Sequence, residues 1–232
     1  MFEDKRILGL VTARGGSKRL PGKNLLPFNG KPLISWTILA GLKSKYIDDL
    51  IVSTDNNEIA HASKKDGAAV PFLRPKRLAQ DETSSIEVIF HTLKKMAELK
   101  VIYDYVFLLQ PTSPLRSSDI IDNAIESLFK RNADSVIGVT KVNHPKEWIN
   151  GLGEEGSMES FHKSLKDANA TNDQYVINGA VYFCSVVKLI EQESLILDSN
   201  CYAYIMDNSS SIDIDYEHDF KIAETIAKEL GN

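Results

Sequence analysis

The chain has 232 residues, enough for one large domain with a sizeable core. Its 27 Lys and Arg against 32 Asp and Glu give a net charge of −5, which argues against a surface built for nucleic acid or an anionic membrane. No apolar stretch approaches the ~18 residues of a membrane span, and Met1–Arg6 lacks the apolar segment of a signal peptide.

Strand and helix patterns then alternate along the chain. Ile7–Val11 is an apolar run that predicts a buried strand. The turn that follows, Thr12–Asn24, places Arg14, Lys18, Arg19 and Lys23 among Gly15, Gly16 and Gly22. Pro32–Lys43 carries apolar residues at helical spacing, and Leu50–Thr54 reads as a strand. Asp55 and Glu58 have capping-box spacing and open a predicted helix reaching about Lys65. Ala69–Phe72 reads as a further strand. Ser84 and Glu87 repeat the capping-box spacing before a helix to about Leu99. Tyr105–Leu109 is a predicted strand, Ser118–Arg131 a helix and Ser135–Val139 a strand. Asn143–Tyr175 is polar and aperiodic, too long for an ordinary loop, and reads as a lid or a dimer-forming arm of about 143–177. Strands resume at Gly179–Phe183 and Tyr202–Met206, and Glu217–Leu230 is a closing helix. This order predicts an α/β fold of three layers: helices on both faces of a mainly parallel sheet, with ligands at the carboxyl ends of the strands. Cys184 and Cys201 stand in apolar contexts without metal-ligand spacing, as reduced core thiols of a cytoplasmic protein would.

The glycine-rich turn solves one physical problem. Backbone amides can approach a polyphosphate closely where side chains are absent, and Lys and Arg supply fixed positive charge. The turn has neither the Gly-Lys-Ser/Thr of a Walker loop nor the glycine spacing of a dinucleotide fingerprint. Arg14 and Lys18 are placed to hold β- and γ-phosphates, with Lys23 near the α-phosphate. Arg74 follows a strand end and faces the same edge, with Ser84 and Ser85 after it; Ser84 also suits an N-cap. Gln110 ends a buried strand and is placed to hydrogen-bond ligand, whereas Arg116 reads as a structural residue pairing near the next helix. Asp213 and Asp215 project from one face if their segment is a strand, and so form a hard-oxygen pair for Mg²⁺. The alternative for Asp215 is a cap on the last helix.

Five segments, ARGGSKRLPGKN at 13–24, RPKRLAQDETSS at 74–85, LLQPTSPLR at 108–116, NGAVY at 178–182 and SIDID at 211–215, together resemble the N-acylneuraminate cytidylyltransferase family. The resemblance implies a nucleotidyltransferase fold, a homodimer made by the inserted arm, and transfer of CMP from CTP to a nine-carbon 2-keto sugar acid with release of pyrophosphate. It implies nucleotide contacts from Ala13, Arg14, Gly15, Ser17, Lys18, Lys23, Asn24, Arg74, Ser84 and Ser85. Sugar contacts fall on Gln110, Asn178 and Gly179, and the metal carboxylates on Asp213 and Asp215. With Arg14 and Lys18 these two aspartates form the expected catalytic set. One departure concerns the sugar: residues 172–177 hold no arginine where sialic acid enzymes often place one. The sugar carboxylate then needs another partner, with Lys141, Lys163 and Lys166 as candidates. The rival readings are another sugar nucleotidyltransferase, such as a CMP-Kdo synthetase, and a nucleotide-binding regulator without turnover.

Overall fold

The computed structural model describes residues 2–143, 149, 154, 157–158 and 174–229. A six-stranded sheet forms the middle layer. Its strands are β1 (Ile7–Thr12), β4 (Asp49–Ser53), β5 (Tyr105–Leu109), β6 (Ser135–Lys141), β7 (Tyr175–Ser185) and β8 (Cys201–Met206), in the order β4-β1-β5-β7-β6-β8. A two-stranded hairpin, β2 (Pro27–Phe28) with β3 (Lys31–Pro32), follows the glycine-rich turn. Strands β1, β4 and β5 pair in parallel, as do β6 and β8, while β7 runs antiparallel between β5 and β6.

The apolar runs form strands because both faces are covered. Ile7, Val11, Phe107 and Leu109 pack on one face with Ile34 and Ile38 of α1 (Leu33–Lys43), Ile59 of α2 (Asn57–Lys65) and Ile121, Ile125 and Leu128 of α4 (Ser118–Arg131). Leu8, Leu10, Val106 and Leu108 face the other way, against Ile89 and Met96 of α3 (Ser85–Glu98) and Leu189 of α5 (Val186–Gln192). Alternate residues thus serve opposite layers, as the period of two requires. A smaller cluster fastens the closing helix, α6 (Glu217–Glu229): Ala223 and Ala227 pack with Phe28, Leu33, Leu115 and Ile214. No helix among the described residues is long and apolar enough to cross a membrane.

Three local expectations are corrected. Ala69–Phe72 is not a strand; only Ala69 bridges to Ile51, through backbone bonds to Leu50 and Val52. Helix α2 is capped by Asn56 rather than Asp55, its side chain accepting from the amides of Glu58 and Ile59 at 2.8 and 3.0 Å. The 211–215 segment is irregular and joins no strand ladder; a backbone bond from the Ile214 amide to the Thr112 carbonyl, 2.8 Å, holds it instead.

The reversal of β7 has a spatial consequence. Its first half lies at the carboxyl end of β5, so Gly179 comes beside Gln110. Strand β7 begins at Tyr175, inside the range expected for the insertion, and pairs back to Lys141. The 143–174 excursion therefore leaves and re-enters the fold on neighbouring strands; most of it, with Lys163 and Lys166, lies outside the described residues. The β6–β7 register shifts between Ile137 and Val139, at Gly138. A Cβ on Gly138 would lie 2.6 Å from Asn178 Oδ1 and 3.0 Å from the Val181 backbone nitrogen. Gly138→Ala should therefore destabilise the protein by about 1–3 kcal/mol through overpacking. A urea midpoint equal to that of the parent would show that this bulge is not a tight contact.

Candidate active site

Strand β1 ends at Thr12, and Ala13 just beyond it is buried and donates its amide to the Ser53 carbonyl of β4 at 3.0 Å. The chain then turns over the carboxyl edge of the sheet. Gly15 donates its amide to Asp55 at 2.9 Å, and a Cβ there would come within 3.0 Å of Asn56. Asp55 thus anchors the loop instead of capping α2. Asn24 is buried and closes the loop from its far end, donating Nδ2 to the Arg14 carbonyl at 3.0 Å.

The turn's cations meet two carboxylates. Asp81 pairs with Arg14 at 2.7 Å and also with Lys18. Asp215 pairs with Arg19 and lies 3.5 Å from Lys23. The hydrogen bond to Asp81 raises the Lys18 pKa and lowers that of Asp81. Lys23 differs because its side chain is mostly enclosed. Burial lowers its pKa, the charges of Asp215 and Asp213 offset part of the fall, and its Nζ donates to the Ile214 carbonyl at 2.6 Å.

These groups line one cleft of about 570 Å³, together with Ser17, Gln110 and Thr112. A second chamber of about 180 Å³ shares Thr12, Arg14 and Asp81 with it and runs to Arg74 and Ser85. Arg74 is 5% exposed, and its Nε has no hydrogen-bond partner. Burial lowers its pKa, partly countered by Asp55. A buried cationic donor aimed at a chamber is a recognition group for an acceptor-rich ligand. Ser84 lines neither space; it caps α3 in a reciprocal capping box with Glu87.

Opposite the loop lies the acidic pair. Buried Ile214 points inward, and Asp213 and Asp215 flank it on the outer side. Asp213 keeps solvent access, yet crowding raises its pKa; the Asp215 charge adds to the rise and hydrogen bonding with Thr112 offsets part. Gly179 has φ +76°, and a Cβ there would lie 3.0 Å from Gln110 Oε1 and 3.8 Å from the Asp213 carboxyl. Glycine is thus required both by backbone geometry and by crowding. Asn178 is buried and spent internally: it accepts from the Ala180 amide at 3.1 Å and donates to Ser211 Oγ at 2.9 Å. It ties β7 to the acidic segment rather than facing the cleft.

Lys18 and Asp215 therefore share a cavity, and Asp213 adjoins it. Sequence alone offers no role for Asp81 or Thr112, reads Asp55 as part of a helix cap and counts Arg19 only among the cations of the turn. The signal available for Asp81 was its position in a cationic polar loop, seven residues after Arg74.

An α/β sheet carrying a cationic glycine loop and an acidic pair at one edge defines a class of protein that handles polyphosphates. Residues 8–222 match the family model described as cytidylyltransferase, and the chain belongs to that family. The CMP-N,N'-diacetyllegionaminic acid synthase of Legionella pneumophila is 35% identical over 223 residues, spanning 95% of this chain and 96% of that protein. A pseudaminic acid cytidylyltransferase of Campylobacter jejuni is 32% identical over 224 residues, with the same coverage of 95% and 96%. The N-acylneuraminate cytidylyltransferase of Escherichia coli is 34% identical over 95% of this chain and 52% of its own length. Among solved structures, a CMP:2-keto-3-deoxy-manno-octonic acid synthetase complexed with CTP superposes with a TM-score of 0.71, 14% identity and coverage of 97% and 99%, a likeness of fold.

The lowered Lys23 pKa has a sign that can be checked. The folded state gives up this proton before the unfolded chain does, so the cost of enclosing the charge is present below the lowered pKa and is relieved as pH rises toward the ordinary lysine value. Carbon NMR of the lysine side chains should show one resonance titrating below the others and lost in Lys23→Arg. Uniform titration of all the lysines would contradict the enclosed environment.

Proposed function

We propose that this protein transfers CMP from CTP to the anomeric hydroxyl of a nine-carbon 2-keto sugar acid and releases pyrophosphate. The carrying observation is that Arg14, Lys18 and Lys23 share one cleft with Asp215 and Gln110. The names of the relatives supply the substrate class: legionaminic, pseudaminic and N-acylneuraminic acids.

The triphosphate lies along the loop. Arg14 and Lys18 bind the β- and γ-phosphates, replacing Asp81, and so stabilise the departing pyrophosphate. Lys23 holds the α-phosphate. The base enters the smaller chamber, where Arg74 and Ser85 meet it. Gln110 hydrogen-bonds the sugar on the far side, beside Gly179. The anomeric oxygen forms a bond to the α-phosphorus as the bond to the bridging oxygen breaks in line, and the hydroxyl proton is lost to solvent. Catalysis is thus mainly positioning and charge neutralisation.

Mg²⁺ is the proposed cofactor, and the residues fit it. Asp213 and Asp215 are hard-oxygen donors; burial is the main cause of the raised Asp213 pKa, and the Asp215 charge adds a repulsion that a divalent ion would relieve. Bound there, it would supply charge neutralisation at the phosphates.

We further propose that the enzyme works in the cytoplasm as a homodimer joined through the 143–174 excursion. Tyr175, Val176 and Ile177, at its return, are 44–52% exposed, an apolar edge that suits burial against a partner.

A panel of the four nucleoside triphosphates against keto-sugar acids, scored by pyrophosphate release, tests the reaction. Release is expected with CTP and a nine-carbon acid. Release only with an eight-carbon acid or a sugar 1-phosphate would establish the rival transferase, and CTP binding without release would establish a regulator. Arg14→Ala should lower kcat on the order of 100-fold, about 3 kcal/mol by analogy with an oxyanion-hole donor; near-native turnover would remove Arg14 from the role. Light scattering should give a dimer mass, lost when 146–174 is deleted. A monomeric intact protein refutes the arm.

A further inference from the structure

Arg116 heads the fully buried side chains by size, at 1% exposure. The sequence places it just before α4, where an arginine ordinarily pairs at the surface. Instead the guanidinium turns back beneath the carboxyl edge of the sheet. Nη1 donates to the Ala180 carbonyl at 2.9 Å. Nη2 donates to Thr37 Oγ1 at 3.2 Å and to the Gln110 carbonyl at 3.3 Å. Nε has no partner.

No carboxylate is among these partners, and burial holds the guanidinium down to a pKa of about 9. Enclosing a cation against neutral acceptors is costly, and an apolar side chain would fill the space without that penalty. What the cation gains is a connection. Gln110 ends β5, and Ala180 follows Gly179 on the reversed strand β7. The two backbones meet where Gly179 faces Gln110 Oε1. A planar, multidentate donor can hold two carbonyls and a hydroxyl at fixed separations, which an ammonium does poorly.

We infer that Arg116 is a positioning residue for the acceptor-sugar side of the cleft: it clamps the carbonyls of Gln110 and Ala180 and so sets the spacing of Gln110 from Gly179. This rests on the proposed reading that Gln110 meets the sugar. The nucleotide side is built from other loops, those of Arg14, Lys23 and Arg74, and is not clamped this way.

The test uses the intact protein with Arg116→Met, Arg116→Lys and Thr37→Val. Each is measured for melting temperature, CTP dissociation constant, and kcat and KM for the sugar acid. Arg116→Met should raise the sugar KM at least tenfold and leave CTP affinity within about twofold. Arg116→Lys should recover part of the loss, and Thr37→Val, which removes an acceptor of the guanidinium together with the hydroxyl's own 3.4 Å bond to the Gln110 carbonyl, should raise the sugar KM a few-fold. If Arg116→Met does not fold, the other two variants decide. An unchanged sugar KM in a folded variant, or an equal loss of CTP affinity, overturns the inference while wild-type turnover stands. Wild-type protein that turns over no keto-sugar acid overturns the proposed function and this inference with it.

Discussion

Like charges crowded into one turn must be compensated, and that requirement organises the cleft. Arg14, Lys18, Arg19 and Lys23 lie too close together to be stable without counter-charge. Asp81 answers two of them and Asp215 the other two. Neither carboxylate is local in sequence to the cation it meets; Asp215 is 196 residues from Arg19. The turn is therefore shaped before any ligand arrives, by groups whose charge a polyphosphate duplicates. Apart from the enclosed Lys23, these groups are partly to largely exposed, so each of their pairs contributes little to global stability. Their value lies in pre-ordering cations that would otherwise sample many rotamers.

The second constraint is the reversal of β7. A wholly parallel sheet would place the start of this strand at the opposite edge, far from Gln110. Antiparallel pairing to β5 brings Asn178, Gly179 and Ala180 to the cleft edge, and the bulge at Gly138 adjusts the register to β6. Gly179 then passes through a left-handed backbone conformation between Gln110 and Asp213, in a space with no room for a side chain. Asn178 fastens the acidic segment to this strand through Ser211, so the sheet positions the carboxylates although their own segment is irregular.

Much of this architecture was legible in the chain. The runs at Ile7, Tyr105 and Ser135 became strands because both sheet faces are covered, and uninterrupted apolarity records that. The Ser84–Glu87 capping box held because it is satisfied within one turn of helix. Asp55–Glu58 had the same spacing, but a neighbouring asparagine took the cap and a distant glycine amide took the aspartate. The 211–215 segment alternates like a strand, and its aspartates do share a side, yet it has no strand partner. Alternation reports which side chains are buried, not whether a ladder exists.

By itself the sequence determined the layers, the order of the main strands and helices, the phosphate-binding character of the first turn and the family to which its motifs belong. Those depend on local periodicity, glycine geometry and the residue types that bind phosphate, all written in short stretches. Tertiary structure alone decided that Asp81 neutralises the loop, that Asn178 is occupied internally, and that Arg116 points beneath the sheet instead of to the surface. Each of those outcomes depends on which distant backbone carbonyl or side chain arrives within about 3 Å, and no spacing along the chain encodes such an arrival.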